Sequence, residues 1–303
     1  MLAALALYRK SIAPVTVGAS VAWINCWENP QKLRSFKEYD GYWRGASETG
    51  ERWGYRLDEF VVNEQLSLKR LRTILRTRNV QGILLPPHPG EVDWGEFPWE
   101  EFSIVRFGRS LAEPRTHMVS SDQVGDSALA GQKMRELGYD RIGFVGDRGL
   151  GRDWERQPRF LAGFQLWQTQ IPEALRIPPL GLKRKDPRED LEHLVAWLQL
   201  HRPDAILTEV SETKPMLEAA GLRIPQDIGI AATSILDGNA DAGIFQNPEA
   251  IGKAAMEVLI ALINRNERGI PSVSRSTNLE GTWVNGTTLP SRAKPAKKQA
   301  KAR

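Results

Sequence analysis

The sequence predicts an α/β protein built on parallel sheet, and three observations carry that reading. Short, nearly continuous apolar runs alternate with amphipathic segments of helix length, as buried parallel strands and their crossover helices require. The stretch from His117 to Val145 shows the unit in full: a strand, an acid at the turn, an amphipathic helix, a Gly-Tyr stop and a second strand. With 303 residues, the chain is long for one average domain and suits two lobes of about 120 to 150 residues each.

Residues 15 to 23, VTVGASVAW, form the first buried strand, and a helix from about Phe36 to Trp53 follows a polar loop. Strands at Tyr55 to Val61, Val80 to Leu85 and Ser103 to Phe107 surround a helix at Leu66 to Arg76. Pro86, Pro87 and Pro89 directly follow a strand and force an extended loop at its carboxyl end, where a parallel sheet places a ligand. In the next helix Ala128, Leu129, Ala130, Met134 and Leu137 recur at helical spacing while Gln132, Lys133, Arg135 and Glu136 stay polar. Gly138 ends it. Strand Ile142 to Val145, helices around Arg159 to Gln168 and Asp190 to Leu200, and strands Ala205 to Thr208 and Ile228 to Ala232 continue the alternation. Pro178 and Pro179 are expected only to stiffen a connection.

Composition narrows the function classes. The single Cys26 excludes an intramolecular disulfide framework and fits a reducing cytoplasm. One Cys and four scattered His offer no zinc site, and His193 and His201 are not on one helical face. The opening MLAALALYRK has no basic region before its apolar run, which makes it a poor secretory signal, and nothing approaches a membrane span in length. The last thirteen residues, SRAKPAKKQAKAR, hold six basic side chains and no acid, so removing them from the net charge of +4 leaves a body near −2. The basic character is thus that of a disordered tail, solubilising or attracted to nucleic acid or anionic lipid, with the solubilising reading preferred.

Enzyme signatures are weak. GDRGLG at 146 to 151 has the spacing GxxGxG, lacks the Lys-Ser/Thr of a phosphate loop, and contains Asp147, which would repel phosphate. There is no GxSxG elbow, and Glu100 with Glu101 adjoin in a polar loop. No acid, base and nucleophile set is visible, so catalysis and a cofactor are not expected.

Four motifs in order carry a resemblance: Asp122 with Leu137, Gly138, Tyr139, Arg141 and Ile142; Pro203 to Ile206; Gly221 to Ile228; and Gln246 with Ile251, Gly252 and Ala255. Together, over about residues 15 to 290, they resemble the effector-binding core of the LacI/GalR family of transcription regulators. The resemblance implies two Rossmann-like lobes with parallel sheets, the periplasmic-binding-protein-like type I fold, with a small-molecule effector in the interlobe cleft and a homodimer interface along the side. It places the first lobe at 14–138 plus 246–272 and the second at 139–245 plus 273–290, with a hinge remnant at 1–13 and the basic tail at 291–303. The family's helix-turn-helix head, which binds operator DNA, has no counterpart here, since the segment from Met1 to Pro14 cannot hold a three-helix module. A solute-binding protein feeding a transporter shares the fold and is the alternative.

The resemblance also directs attention to strand ends. Trp23, Asn25 and Trp27 after the first strand, His88 in the Pro loop, Asp122, Arg159, Phe160, Glu209, Ser234 and Gln246 are the candidate effector contacts. Ten Trp residues offer faces for sugar rings, planar bases or cations, although a Trp at a strand end packs more often than it binds. Asp122 also reads as a helix N-cap. In sugar-binding relatives an Arg stands three residues before Gly-Phe, where this chain has Phe160, and Arg159 beside it points about 100° away on a helix. Ser234 replaces an Asp, and Glu209 with Val210 replaces Asn-Asp. Three polar anchors for a pyranose are changed together, so a sugar-like ligand other than a simple hexose, or no ligand, is expected.

Overall fold

The computed structural model describes residues 19–147, 158–236 and 238–293. The expected hinge, the start of the first apolar run, most of GDRGLG and most of the basic tail lie outside these residues. The described chain divides into two compact units, one running to Ser121 and again over Asn247–Leu279, the other over Asp122–Gln246 and from Glu280 onward.

The first unit has six parallel strands: β1 (Ala19–Asn25), β2 (Tyr55–Val61), β3 (Gly82–Leu85), β4 (Ser103–Phe107), β5 (His117–Ser121) and β11 (Ser276–Leu279). Their order is β11-β5-β4-β3-β1-β2. Its helices are α1 (Pro30–Ser35), α2 (Lys37–Arg52), α3 (Leu68–Thr77) and α8 (Pro248–Arg265). Side chains alternate across the strands and fill a core on each face. Val21, Trp23, Leu84, Val105 and Val119 meet α2 and α8 on one side. Ala22, Ile24, Ile83, Leu85 and Ile104 meet Leu71 and Leu75 of α3 and the aromatic run Trp94, Phe97, Trp99 and Phe102 on the other. The α2 and α8 backbones approach closely at two glycines. A Cβ on Gly45 would lie 2.0 Å from the Glu249 carbonyl oxygen, and one on Gly252 would lie 2.1 Å from that of Tyr42.

The second unit repeats the plan with β6 (Ile142–Asp147), β7 (Leu180–Leu182), β8 (Ala205–Thr208), β9 (Gly229–Ala232), β10 (Gly243–Phe245) and β12 (Thr282–Val284) in the order β12-β10-β9-β8-β6-β7. All neighbours are parallel except β10 with β12. Its helices are α4 (Gln123–Glu136), α5 (Arg159–Gln168), α6 (Pro187–His201) and α7 (Thr213–Ala219). Ala130 and Met134 of α4 and Phe164 and Trp167 of α5 cover one sheet face. Leu194 and Trp197 of α6 and Leu217 of α7 cover the other. Here too a glycine sets the helix contact, because a Cβ on Gly163 would lie 2.1 Å from the Val124 carbonyl oxygen.

The two-lobed α/β expectation holds, and two boundaries differ from those expected. The chain leaves the first unit at Ser121, not near Gly138: α4 packs on α5 and against β10 and β12, so it belongs to the second unit. Residues 273–279 return to the first unit, because β11 completes the first sheet beside β5. Pro178 and Pro179 lie in the connection that leads into β7, the edge strand of the second sheet. The chain returns to the first unit at Gln246–Asn247.

Candidate ligand-binding site

In the second unit the carboxyl end of β6 and the start of β7 border a pocket of about 530 Å³, which falls in the usual range of small-molecule sites, roughly 300–1,000 Å³. Phe144, Leu161, Leu180, Pro158 and Pro179 give it apolar walls. Its polar groups are Asp147 at the end of β6, His193 on α6, and Glu209 just after β8. Among the described residues no Arg or Lys lines it, which does not suit a phosphate.

Glu209 is the chemically distinctive member. Its Oε1 accepts the backbone N–H of Asp147 at 3.0 Å. That approach depends on Gly146, where a Cβ would lie 2.6 Å from the same oxygen. Burial pushes the Glu209 carboxyl up to about 7, and the Asp147 carboxylate adds to the rise, while the Asp147 amide and Arg184 oppose it. Near neutral pH the group therefore exchanges between an acceptor and a donor. Arg184 reaches Asp147 at 3.5 Å and Glu212 at 2.8 Å, so the Asp147 charge is partly balanced from outside the pocket.

The structure places the other candidates elsewhere. Arg159 and Phe160 stand between Pro158 and Leu161, which line the pocket, yet neither lines it. Phe160 packs on the core under α5, and the partly buried Arg159 keeps its Nε without a partner. Asp122 is the N-cap of α4, its Oδ1 accepting the Gly125 N–H at 3.3 Å. Ser234 follows β9 and is half-buried. Gln246 is buried and its Nε2 donates to the Thr233 carbonyl at 3.0 Å.

In the first unit four expected contacts are structural. Trp23 is fully buried, edge-on to Trp43 at 5.5 Å and tilted on Phe107 at 5.3 Å, so it offers no face to a ligand. Asn25 donates to the Pro30 carbonyl at 3.0 Å and to Glu59 Oε1 at 2.8 Å, and its Oδ1 accepts the Trp27 N–H at 3.0 Å. Trp27 Nε1 donates to the Pro87 carbonyl at 2.8 Å. His88 has Nδ1 within 3.1 Å of the Gly90 N–H and Nε2 within 3.1 Å of the Cys26 carbonyl. Beside them, burial pushes the Cys26 thiol up to about 12, which leaves it unreactive near neutral pH.

Two members of the pocket escaped the sequence reading. Asp147 was met only as an objection to a phosphate loop, and His193 only as a failed metal ligand. The available signal was position, because both Gly146 and Asp147 end a strand of a parallel sheet. Among the described residues no group of three or more His, Cys, Asp or Glu side chains is placed to hold a metal ion, and no helix is long and apolar enough to cross a membrane.

Two mostly parallel sheets of this order, each flanked by helices on both faces, define the periplasmic-binding-protein-like type I fold. The structure is similar to the transcriptional regulator CelR–cellobiose complex, with a TM-score of 0.65, 18% identity, and 93% of this chain and 88% of that chain covered. It is similar to a LacI family transcriptional regulator from Enterococcus faecium with bound ribose, with a TM-score of 0.63, 16% identity, and 90% and 99% covered. It is also similar to the transcription regulator CcpA of Lactococcus lactis, with a TM-score of 0.60, 12% identity, and 90% and 99% covered. A periplasmic binding protein-like domain model matches residues 132–288, and the chain belongs to that family. No curated protein sequence matches the chain.

Proposed function

We propose that this chain is the ligand-sensing core of a LacI/GalR-type transcription regulator and that its small-molecule effector is held at the carboxyl ends of the second unit's strands. The observation that carries this is the pocket beside Glu209, an apolar crevice with one carboxyl poised to accept or donate. An effector with an apolar face and hydroxyl or amine groups suits it better than a simple hexose, whose ring hydroxyls need more polar partners than Asp147, His193 and Glu209 supply. Arg159 and Phe160 adjoin its wall residues Pro158 and Leu161, and Asp122, Ser234 and Gln246 are not among the residues that line it. The protein works by population shift: effector binding favours one of two conformations, and operator binding, through a DNA-reading module other than these two units and in a cytoplasmic homodimer, follows that equilibrium. No bond is broken.

A thermal-shift screen of sugars, uronates, nucleosides and amino acids tests this, because a ligand that binds only the native state raises its stability with ligand excess. A hit whose stabilisation disappears in Gly146→Ala supports the site. Tight calorimetric binding of a common aldohexose that survives Gly146→Ala and Glu209→Gln overturns it. Ligand binding that leaves operator affinity of the intact regulator unchanged favours the solute-binding alternative.

A further inference from the structure

At the opposite end of the first unit's sheet, β4, β5 and β11 begin beside the carboxyl end of α8. A second cavity of about 530 Å³ lies there, lined by His117, Glu267, Arg268, Ser272 and Arg275 among others. His117, the first residue of β5, is 6% exposed. Its Nδ1 accepts the backbone N–H of Arg275 at 3.0 Å. A neutral imidazole carries a single hydrogen, so accepting at Nδ1 puts that hydrogen on Nε2. The group facing Nε2 is the Arg275 guanidinium, 3.3 Å away, and a guanidinium has only donors. Two donors therefore meet, and the buried Nε2–H has no acceptor. A second proton on the ring is no remedy, because burial and then the Arg275 charge both push the imidazole below its ordinary range.

We propose that this cavity is an oxyanion site, in which one anionic oxygen sits between His117 Nε2–H and the Arg275 guanidinium and accepts from both. Glu267 does not fill that place, since its carboxylate pairs with Arg275 at 3.0 Å and Arg265 at 3.6 Å. Arg268 lines the same cavity, and its Nη1 makes a long bond of 3.3 Å to the Glu101 carbonyl. The three arginines outweigh Glu267 and the partial negative charge at the carboxyl end of α8. The occupant is a phosphate-type anion, free or as the phosphoryl group of a small metabolite, because guanidinium and imidazole N–H groups together match its geometry and charge. The site is separate from the Glu209 pocket and stands or falls independently of it.

The test is titration of the full chain with inorganic phosphate at constant ionic strength, followed by calorimetry and by the ¹⁵N resonances of the His117 ring. Saturable binding that moves Nε2 more than Nδ1 is expected. His117→Asn keeps an acceptor where Nδ1 stood and removes the Nε2 hydrogen, and Arg275→Gln removes the guanidinium. Each is expected to weaken phosphate binding roughly tenfold or more. Arg268→Ala, which leaves His117 and Arg275 in place, is expected to weaken it by less. A sugar phosphate titrated in parallel separates the sources: tighter binding than inorganic phosphate assigns a metabolite, and equal binding assigns free phosphate. Absence of saturable binding by either ligand, an unmoved Nε2 in the unsubstituted chain, or binding that survives both substitutions in folded protein overturns the site.

Discussion

Edge to edge, the first sheet runs β2-β1-β3-β4-β5-β11 and the second β7-β6-β8-β9-β10-β12, so each strand of one unit has a counterpart in the other. Asn25 ends β1 where Asp147 ends β6, and the Pro86–Pro87–His88 loop follows β3 where Glu209 follows β8. In the first unit these neighbouring strand ends are tied together. Trp27 Nε1 bonds the Pro87 carbonyl, His88 reaches the Cys26 carbonyl, and Asn25 holds Pro30 and Glu59. In the second unit the bridge is Glu209 Oε1 to the Asp147 amide, and a pocket remains beside it. The crevice at a strand-order reversal comes with the topology. Whether it holds a ligand is decided by how completely side chains close it.

The largest test breaks each unit separately. Gly163→Ala and Gly45→Ala each drive a methyl to about 2 Å from a backbone carbonyl oxygen, which costs about 3 kcal/mol or more unless the helices separate. Calorimetric unfolding is expected to show each change lowering the transition of its own unit. Equal shifts of a single shared transition would mean that the units unfold as one.

Asn25→Ala sharpens the contrast at the closed end. It leaves the Trp27 amide without its acceptor in a buried setting, with an expected loss of about 2 kcal/mol in urea unfolding. Ligand binding is expected to stay unchanged. Gly146→Ala is the matching change at the open end, with a loss of about 1–2 kcal/mol as Glu209 is displaced and with ligand-induced stabilisation abolished.

The smallest effect depends on pH. The folded-state value of Glu209, about 7, lies above its ordinary 4.5. Its protonated form is therefore the one the fold prefers: the contribution to stability is fully present below the ordinary value and is lost as pH rises through about 7. Glu209→Gln keeps an acceptor for the Asp147 amide and cannot ionise. It is expected to match the parent at pH 4 and to exceed it by about 1–2 kcal/mol above pH 8. Parallel stability curves across that range would show that the carboxyl is ordinary.

Ser103–Phe107 and Ala205–Thr208 were legible as short, mostly apolar runs between polar turns and Tyr55–Val61 as an apolar–polar alternation at a sheet edge, and all three agree with the structure residue for residue. β7, β10, β11 and β12 escaped, since three or four residues such as STNL are too few to carry a periodicity to read. At the site, strand ends were the right place to look, and Glu209 was found because it stands where the resemblance expects an amide. The burial of Trp23 depends on sheet pairing, which sets the face to which its side chain turns. The partners of Asn25 and His88 lie far along the chain: Glu59 is 34 residues from Asn25, and Cys26 is 62 from His88. Local sequence does not reveal that a polar group is already satisfied by such a distant neighbour.

The last strand of the first sheet has a further consequence during synthesis. Ser120 of β5 bonds Asn278 of β11 across 158 residues of sequence. A chain emerging from the ribosome thus leaves the β5 edge bare until nearly all of the second unit has been made. An unpaired edge of that kind invites pairing with another nascent chain. The four residues of β11 therefore decide solubility more than their sparse burial suggests, and a gene shortened before Ser276 should yield aggregates rather than a smaller sensor.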